Sequence, residues 1–310
     1  MKEERYILLY HGVTSTKPEG IENFSRKHIC AAEFEKQMKF IRENMNPVTL
    51  RDINNKENLG ELPVAITFDD TFQNVESVAL PILKKYNIPA TFFITSGFID
   101  TDRIFWVDKI EHIINYSKRE RFSIDFPHKK EFKIKSHDEK IQAVKDIKDI
   151  IKSHDQKIHD VVLESIERQL GIIDHSFVDN YKNLTSECVR RLDCPPMYEV
   201  GGHTVNHEIL SQLKAEDLKF EVNECLKHLE NITNRKIDLF SYPEGQSNHF
   251  NKNVISVLKD RGVKICPTAM TGFNKFETDA FKLKRIMVGF MGLKFPFEVI
   301  NNEFFVRDIG

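Results

Sequence analysis

The chain has 310 residues, of which 40% are hydrophobic and 30% are charged, so it is too apolar to be disordered and long enough for one large or two ordinary domains. Lysine and arginine (45 together) nearly balance aspartate and glutamate (47), and the net charge of -2 provides no electrostatic attraction to nucleic acid or to an anionic membrane. We therefore expect neither of these partners.

The N-terminal residues, from Met1 to Arg5, are mostly charged and lead directly into a short apolar run. A secretory signal has a longer apolar core, and a helix that spans a bilayer needs roughly 18 consecutive apolar residues, which no stretch of the sequence approaches. We therefore expect a cytoplasmic protein without a transmembrane segment.

Strand and helix patterns alternate over the first third of the chain. Short apolar runs predict strands at residues 6–10, 64–68 and 90–95. Apolar residues three or four apart predict helices on two stripes, namely Phe34, Met38, Ile41 and Met45, and Val75, Val78, Ile82 and Tyr86. Pro81 lies inside the second stripe and should kink or restart that helix.

The alternation returns in the last third. Apolar periodicity predicts helices over residues 218–229 and 254–258, the second closed by Gly262, and apolar runs predict strands at 237–240, 263–266 and 286–289. This order predicts a parallel sheet or barrel surrounded by helices, with an active site at the carboxyl ends of the strands. Because no stretch resembles a linker, we interpret residues 1–310 as a single domain.

Residues 101–186 differ from the rest of the chain in their sequence pattern, and we interpret them as an insertion within that domain. They are dense in charge and predict a hairpin at 121–126 and 131–135, followed by long amphipathic helices over 138–170. Histidines in such a stretch are expected on solvated helix faces, as for His112, His137, His154 and His159.

Two adjacent carboxylates, Asp69 and Asp70, follow the predicted strand at 64–68. Successive side chains of a strand point apart, so the two groups can take different roles if the chain turns there. One can bind a metal ion while the other accepts a proton. Taken alone, such a pair more often begins a turn or caps the next helix.

His203 and His207 are four residues apart and follow two glycines. Histidines at this spacing can meet on one helical face and chelate one cation, while the glycines permit a close approach of the backbone. The spacing is common by chance, and the upstream aspartates strengthen the metal interpretation. A metal would be held by histidine and carboxylate, because the cysteines form no Cys-x-x-Cys pair. They are Cys30, Cys188, Cys194, Cys225 and Cys266.

Two further segments end predicted strands. The turn Ser241-Tyr242-Pro243-Glu244-Gly245 follows the strand at 237–240 and can direct a backbone N–H into a site, although such a turn taken alone is more often an ordinary loop. His11 follows the first strand. Taken alone, a histidine there is more often a satisfied residue of the core.

Taken in order, these segments resemble the polysaccharide deacetylase (NodB-homology) family, carbohydrate esterase family four, and more closely its members that open with Tyr-His-x-Val. The resemblance covers about residues 6–98 and 197–289. It rests on Thr67-Phe68-Asp69-Asp70, Ile88-Pro89-Ala90-Thr91-Phe92-Phe93 and His203-Thr204-Val205-Asn206-His207. It implies an α/β fold, a distorted (β/α) barrel of the polysaccharide deacetylase type, here with a charged, mainly helical insertion.

The resemblance also implies the chemistry of the site. Asp70, His203 and His207 would hold one divalent metal ion, and Asp69 would be the general base that acts on the attacking water. Zinc suits these ligands, although manganese, cobalt, nickel or iron also bind such a set.

Other site residues follow from the same resemblance. Members that open with Tyr-His-x-Val imply that His11 is the general acid, and no histidine follows His249 to take that role. Many members orient the base with an arginine of the third motif, where this chain has Ser241, so Arg285 is the candidate substitute. The residues assigned to the substrate and the oxyanion are Tyr242, Pro243 and Glu244, and a backbone N–H near Glu244 would help to stabilise the oxyanion.

The resulting hypothesis is a metal-dependent hydrolase that removes an N-acetyl or other acyl group from a sugar, with a lipid-linked or nucleotide-linked precursor of a surface polysaccharide as candidate substrate. One alternative is a catalytically silent sugar-binding or assembly protein on the same fold. Hydrolysis of a non-sugar amide is another, because fold does not determine substrate. The sequence leaves the oligomeric state open.

Overall fold

The computed structural model describes residues 4–55, 59–153, 156–171, 174, 178–300 and 303–307, and of residues 156–159 it describes the backbone alone. The strands are mostly short and buried. They are β1 (Tyr6–Tyr10), β2 (Gly12–Thr14), β3 (His28–Cys30), β4 (Asn46–Pro47), β5 (Pro63–Phe68), β6 (Ala90–Ile94), β7 (Arg121–Ile124), β8 (Lys130–Lys133), β9 (Tyr198–Gly202), β10 (Ile286–Met287), β11 (Phe297–Ile300) and β12 (Glu303–Val306).

Six of the α-helices in the described residues lie where the sequence predicted helices, and three, over residues 50–53, 106–116 and 186–192, were not predicted. The α-helices are α1 (Ala31–Asn44), α2 (Leu50–Ile53), α3 (Leu80–Lys85), α4 (Trp106–Tyr116), α5 (His137–Lys152), α6 (Gln156–Leu170), α7 (Ser186–Leu192), α8 (Ala215–Thr233) and α9 (Lys252–Asp260). The predicted restart at Pro81 is confirmed, because a π-helical turn at Val75–Ala79 precedes α3 and the proline lies in the first turn of α3. Proline is tolerated there since the first N–H groups of a helix have no intrahelical partner.

The central sheet is parallel and has the strand order β10-β1-β5-β6-β9, with β4 also paired to β5. Tyr6 to Tyr10 align with Val64 to Phe68, and Ala90 to Ile94 align with Tyr198 to Gly202. Because parallel neighbours run in the same direction, their carboxyl ends meet at one edge. Residues that follow β1, β5 and β9 therefore lie close together.

Two predicted strands are reduced to single bridges. Leu239 and Phe240 pair in parallel with Ile265 and Gly202, which places the segment after α8 beside β9. Thr268 N–H then donates to the carbonyl of Leu283, and Arg285 N–H to that of Met270, in parallel register. These bonds reach the residues that lead into β10, so the distorted (β/α) barrel closes through irregular backbone rather than through full strands.

The core of the barrel lies between this sheet and the helices outside it. Its fully buried side chains include Phe34 and Met38 of α1, Phe68 of β5, Phe92 of β6 and Leu226 of α8. Burial of large apolar side chains of this kind is the dominant favourable contribution to folding. The core thus fixes the strands whose carboxyl ends carry the site.

The chain folds into two compact units. The first comprises Met1–Ser15, Ser25–Thr101 and Asn183–Gly310, and the second comprises Thr16–Phe24 and Asp102–Lys182. Among the described residues, the second unit contains the expected hairpin, β7 and β8, and the α-helices α4 to α6. It also includes the short segment 16–24. The sequence pattern did not predict that this segment belongs with the insertion.

The second unit has a hydrophobic core of its own, which includes Ile114, Phe122, Phe132 and Ile147. The expectation that its histidines are solvated is wrong for His112, which is buried and donates a hydrogen bond from Nε2 to the carbonyl of Asp174 over 2.9 Å. His137 is exposed as expected.

His154 and the side chain of His159 lie outside the described residues. No helix in the described part of the chain combines the length and the apolar character needed to cross a bilayer.

Candidate metal and catalytic site

The candidate site lies at the carboxyl edge of the sheet. His11 follows β1, Asp69 and Asp70 follow β5, and His203 follows β9. The Asp69 N–H donates to the carbonyl of Tyr10 over 3.0 Å, so the ends of β1 and β5 remain paired up to the first carboxylate. This arrangement brings together residues that are far apart in sequence.

Three side chains form a cluster that could hold a metal ion. One ligand atom from each of Asp70, His203 and His207 lies within 4.8 Å of the other two. The Asp70 Oδ1 atom is 3.3 Å from His207 Nε2 and 3.8 Å from His203 Nε2. Two imidazoles and one carboxylate suit zinc and related divalent cations, so the donor set fits the metal that the resemblance implies.

The histidine pair converges through a tight turn rather than a helix. Residues 203–207 are not helical, and both Thr204 (φ 66°) and His207 (φ 63°) have left-handed backbone conformations. Asp70 is also left-handed, at φ 77°. The proposed helical face is therefore wrong, although the pairing of the two histidines is not. Non-glycine residues with such dihedrals are strained and occur often at functional sites.

Glu221 of α8 stabilises the turn that carries the histidines. Its Oε2 atom accepts from the N–H groups of Val205 (2.8 Å) and Asn206 (2.9 Å), and its Oε1 atom accepts from the side chain of Asn206. The carboxylate is buried. Sequence reasoning missed this residue because the apolar periodicity over residues 218–229 predicted only the packing face of the helix and gave no role to its polar residues.

The backbone carbonyl of Ser241 orients His203. His203 Nδ1 lies 2.8 Å from that oxygen, and since a carbonyl only accepts, Nδ1 carries the proton. Burial lowers the pKa of His203, which favours the neutral ring. The lone pair of a neutral ring is then on Nε2, the atom that faces Asp70. A hydrogen bond of this kind to the second ring nitrogen is typical of metal-binding histidines.

Asp69 is paired with Arg285. The guanidinium donates from Nη1 to Oδ1 and from Nη2 to Oδ2, each over 2.7 Å. Burial by itself would raise the pKa of Asp69, but the charge and hydrogen bonds of Arg285, together with the nearby His203 and His11, lower that pKa below its ordinary value. Asp69 is therefore held as a carboxylate.

Arg285 is itself fully buried and anchored on three further groups. Its Nε donates to the carbonyl of Thr268 over 2.7 Å, Nη1 donates to Thr67 Oγ1, and Nη2 donates to Ser241 Oγ. The Ser241 hydroxyl in turn donates to Asp69 Oδ2 over 3.3 Å. Ser241 and Arg285 thus act on the same carboxylate.

The second carboxylate is in a different electrostatic environment. Burial raises the pKa of Asp70, and the positive charge of Lys27 opposes this rise only in part. A buried carboxylate that faces two imidazoles gains most from a cation between them. The pKa of Asp69 is lowered and that of Asp70 is raised, so the two adjacent carboxylates are suited to different chemical roles.

His11 lies partly buried near both aspartates. Burial lowers its pKa, and the negative charges of Asp70 and Asp69 oppose that effect. In the described part of the chain, its buried Nδ1 atom has no hydrogen-bond partner. Its ring centroid lies 5.6 Å from that of Phe290.

Of the three residues expected on the substrate side, Tyr242 and Pro243 are buried and Glu244 is half-buried. The ring of Tyr242 is buried, stacks on Phe250 and donates its hydroxyl to the carbonyl of Phe281, so the ring is not available to a ligand. Pro243 and Glu244 form the tip of the turn, where Glu244 is left-handed at φ 58°. The assignment of this turn to the substrate side stays a prediction.

The sequence profile of the family described as "Polysaccharide deacetylase" matches residues 56–266. A relative named poly-beta-1,6-N-acetyl-D-glucosamine N-deacetylase, from Staphylococcus aureus (strain MSSA476), is 34% identical over 94 residues, which are 29% of this chain and 31% of that protein. The enzyme of the same name from Staphylococcus epidermidis is 29% identical over 110 residues, which cover 32% of this chain and 38% of that protein. The aligned stretches therefore span about a third of these relatives.

Solved structures share the fold at low sequence identity. The deacetylase PplD of Streptococcus pyogenes, in complex with acetate, superposes with a TM-score of 0.60 and 17% identity, over 94% of each chain. IcaB from Ammonifex degensii superposes with a TM-score of 0.57 and 17% identity, over 92% of this chain and 91% of that chain. At this identity the likeness establishes the barrel architecture.

Proposed function

This chain belongs to the polysaccharide deacetylase family, and on that premise we propose that it is a metal-dependent hydrolase that removes N-acetyl groups from a sugar. The partial match to enzymes named for poly-beta-1,6-N-acetyl-D-glucosamine favours a surface polysaccharide of linked N-acetylglucosamine units, or its precursor, as the substrate. The barrel alone supports no such assignment, because fold does not determine function.

One observation carries the proposal, namely that a metal-ligand cluster and an ionised base lie side by side. The ligand atoms of Asp70, His203 and His207 converge, and the carboxylate of Asp69 lies beside them, 4.0 Å from His203 Nε2. A divalent cation in this cluster would act as a Lewis acid on the acyl carbonyl and make a water molecule more acidic. Zinc is our first choice.

Asp69 is proposed as the general base. It is ionised and held in one orientation by Arg285, so it can accept a proton from the water that attacks the acyl carbon. Its lowered pKa makes it a weak base, which would suit a water molecule that a bound cation makes more acidic. Arg285 is proposed as the residue that positions this base rather than as a proton carrier, because a guanidinium stays charged.

His11 is proposed as the general acid. An amine is a poor leaving group, so the nitrogen must receive a proton as the carbon–nitrogen bond breaks. His11 lies at the end of β1, on the same edge of the sheet as Asp69. The net change is hydrolysis of the amide to acetate and a free amine.

The test combines metal analysis with acetate release. The purified protein would be depleted of metal, reloaded separately with zinc, manganese, cobalt, nickel or iron, and assayed on β-1,6-linked and β-1,4-linked N-acetylglucosamine oligomers. A variant with both His203→Ala and His207→Ala should lose the metal and the activity. The matched control is His228→Ala, which changes an exposed histidine of α8.

The outcomes separate the parts of the proposal. Stoichiometric metal in the double variant would refute the assignment of the metal ligands. Absence of acetate release by every metal form on every oligomer would refute the deacetylase activity and favour a sugar-binding protein on this fold. Release from one linkage alone would identify the preferred polymer.

A further inference from the structure

Phe290 lies at the mouth of the barrel beside His11. It follows β10, which pairs with β1, and Val288 N–H donates to the carbonyl of Leu9 over 3.0 Å. This register brings Phe290 next to the residue that follows β1. The two ring centroids are 5.6 Å apart, with an angle of 41° between the ring planes.

The loop that carries Phe290 is held by its own backbone. Gly289 N–H donates to the carbonyl of Leu293 over 2.8 Å, and Gly292 N–H to that of Gly289 over 2.9 Å. Both glycines have left-handed conformations, with φ 88° and 81°, which side chains other than glycine rarely adopt. Met291 N–H also donates to the carbonyl of Ser25. The loop therefore presents Phe290 from a defined backbone.

The surface around Phe290 is apolar and open. Phe290 is half-buried, while the next residue, Met291, is 58% exposed and Leu293 is 48% exposed. Exposed apolar side chains that adjoin a catalytic group commonly mark a binding site. Here they form one continuous stretch of chain that begins at the ring beside His11.

The proposed reaction indicates which part of the substrate lies against the ring of Phe290. The general acid protonates the leaving nitrogen, and that nitrogen is bonded directly to a ring carbon of the sugar. When the amide of a sugar is placed to receive a proton from His11, the sugar ring therefore lies only a few bond lengths away from the His11 side chain. Hexosamine rings have an apolar face of C–H groups, which packs well against an aromatic ring.

We propose that Phe290 is the platform on which the sugar carrying the scissile amide stacks, so that it determines specificity for a pyranose ring on the leaving side. The inference rests on the proposed function, in particular on His11 as the acid. It predicts that Phe290 contributes to sugar binding and little to the attack on the acyl carbon.

Binding can be measured without turnover by a tryptophan placed in the loop. The chain has one tryptophan, so Phe290→Trp adds a second fluorophore at the proposed platform. Titration with a β-1,6-linked N-acetylglucosamine pentamer, in an Asp69→Asn background, should give a saturable change in fluorescence. Phe220→Trp, at a phenylalanine of α8 that is 53% exposed, should show no such change.

Kinetics provide the second measurement. For the pentamer, Phe290→Ala should raise KM about 3- to 10-fold, with a smaller effect on kcat, as expected for loss of one aromatic contact. Phe290→Tyr and Phe290→Trp should have a KM close to that of the native protein, because both keep an aromatic ring. If the role of Phe290 were merely structural, this recovery would not be expected. Phe220→Ala should leave both constants unchanged.

Three outcomes decide the matter. If the native protein deacetylates the pentamer while Phe290→Ala and Phe220→Ala have the same KM, the assignment of Phe290 is wrong and the proposed function stands. If Phe290→Trp shows no saturable signal although the native protein is active, the platform is likewise refuted. If the native protein releases no acetate from any sugar, the proposed function fails, and the assignment of Phe290 fails with it.

Discussion

The guanidinium of Arg285 binds both oxygens of the Asp69 carboxylate, over 2.7 Å each, although the two residues are 216 positions apart in the chain. Arg285 also donates to Thr67, Ser241 and Thr268, so it joins the candidate base to neighbouring segments of the barrel. Paired hydrogen bonds between an arginine and a carboxylate are among the strongest and most directional that proteins make. The pair therefore fixes both the charge and the orientation of Asp69.

Replacement of Arg285 by methionine should therefore lower both stability and turnover. Loss of one partner of a buried pair leaves the other charge uncompensated, at a cost of about 3–5 kcal/mol in the free energy of unfolding. Urea denaturation measures this cost. Addition of Asp69→Asn to Arg285→Met should recover part of the stability, because the buried charge is then gone, but should not recover turnover.

The matched control for that experiment is Arg26→Met. Arg26 pairs with Glu33 over 2.7 Å, but both side chains are exposed, so its loss should change the free energy of unfolding by about 0–1 kcal/mol. Equal effects of Arg285→Met and Arg26→Met would contradict the structural role assigned to the buried pair.

Asp69→Asn should retain the metal and lose most of the turnover. Asparagine keeps the shape of the side chain but cannot accept the proton, and loss of a general base costs about 10²- to 10⁴-fold in rate. Metal content and acetate release would be measured on the same preparation. Asp70→Asn is the comparison, for which we expect weaker metal binding. Near-normal turnover of Asp69→Asn would show that another group is the base.

Glu221→Gln should weaken metal binding although Glu221 is not a proposed ligand. Its carboxylate holds the backbone of Val205 and Asn206, between the two histidines, and loss of such supporting contacts typically lowers metal affinity about 10- to 100-fold. Competition with a chelator measures the affinity. Glu224→Gln, at a partly exposed glutamate of the same helix, is the control. Equal affinities in the two variants would remove Glu221 from the metal site.

His11→Ala should separate amide from ester hydrolysis. Release of an amine requires a proton from the acid, whereas an activated aryl ester has a leaving group that departs without one. We therefore expect a strong loss of deacetylation of a sugar amide and little loss with an aryl acetate, with the metal retained. Equal losses on both substrates would indicate a positioning role, and loss of metal would make His11 a ligand.

His28 should make the protein less stable in acid. Burial, followed by the nearby charge of Lys27, lowers the pKa of His28 well below its ordinary value of 6.5, so the unfolded chain binds a proton that the folded chain rejects. The free energy of unfolding should therefore fall as the pH drops below 6.5, by at most about 1.4 kcal/mol per pH unit for this group.

His28→Gln should reduce that slope between pH 6.5 and pH 5, and urea denaturation across this range measures it. His137→Gln removes an exposed histidine and should leave the slope unchanged. If both variants keep the native slope, the acid sensitivity arises from other groups, of which His11 and His203 also have lowered pKa values.

Sequence patterns determined those features that depend on neighbours in the chain. Periodicity predicted the long helices, such as α1 and α8, because burial of one face repeats every three or four residues. Continuous apolar runs predicted β1, β5 and β6, because a strand that is buried on both faces is apolar at every position. The motifs also identified Asp70, His203 and His207 as a set, and the structure brings their ligand atoms together.

Only the tertiary structure decided how those residues are held. The spacing of His203 and His207 suggested a helix, but left-handed residues form a turn there, since Glu221 satisfies the turn's N–H groups from another element. The carbonyl of Ser241 sets the proton position on His203, and a backbone oxygen has no sequence signature.

The same limit applies to the barrel and to the second unit. The predicted strands at 237–240 and 263–266 are single bridges, because strand length depends on how neighbouring segments align and not on apolar content alone. His112 lies in a charged stretch and yet is buried, because the second unit packs around a core of its own. Local patterns determine which face of an element is apolar, whereas long-range hydrogen bonds and packing decide which residues meet.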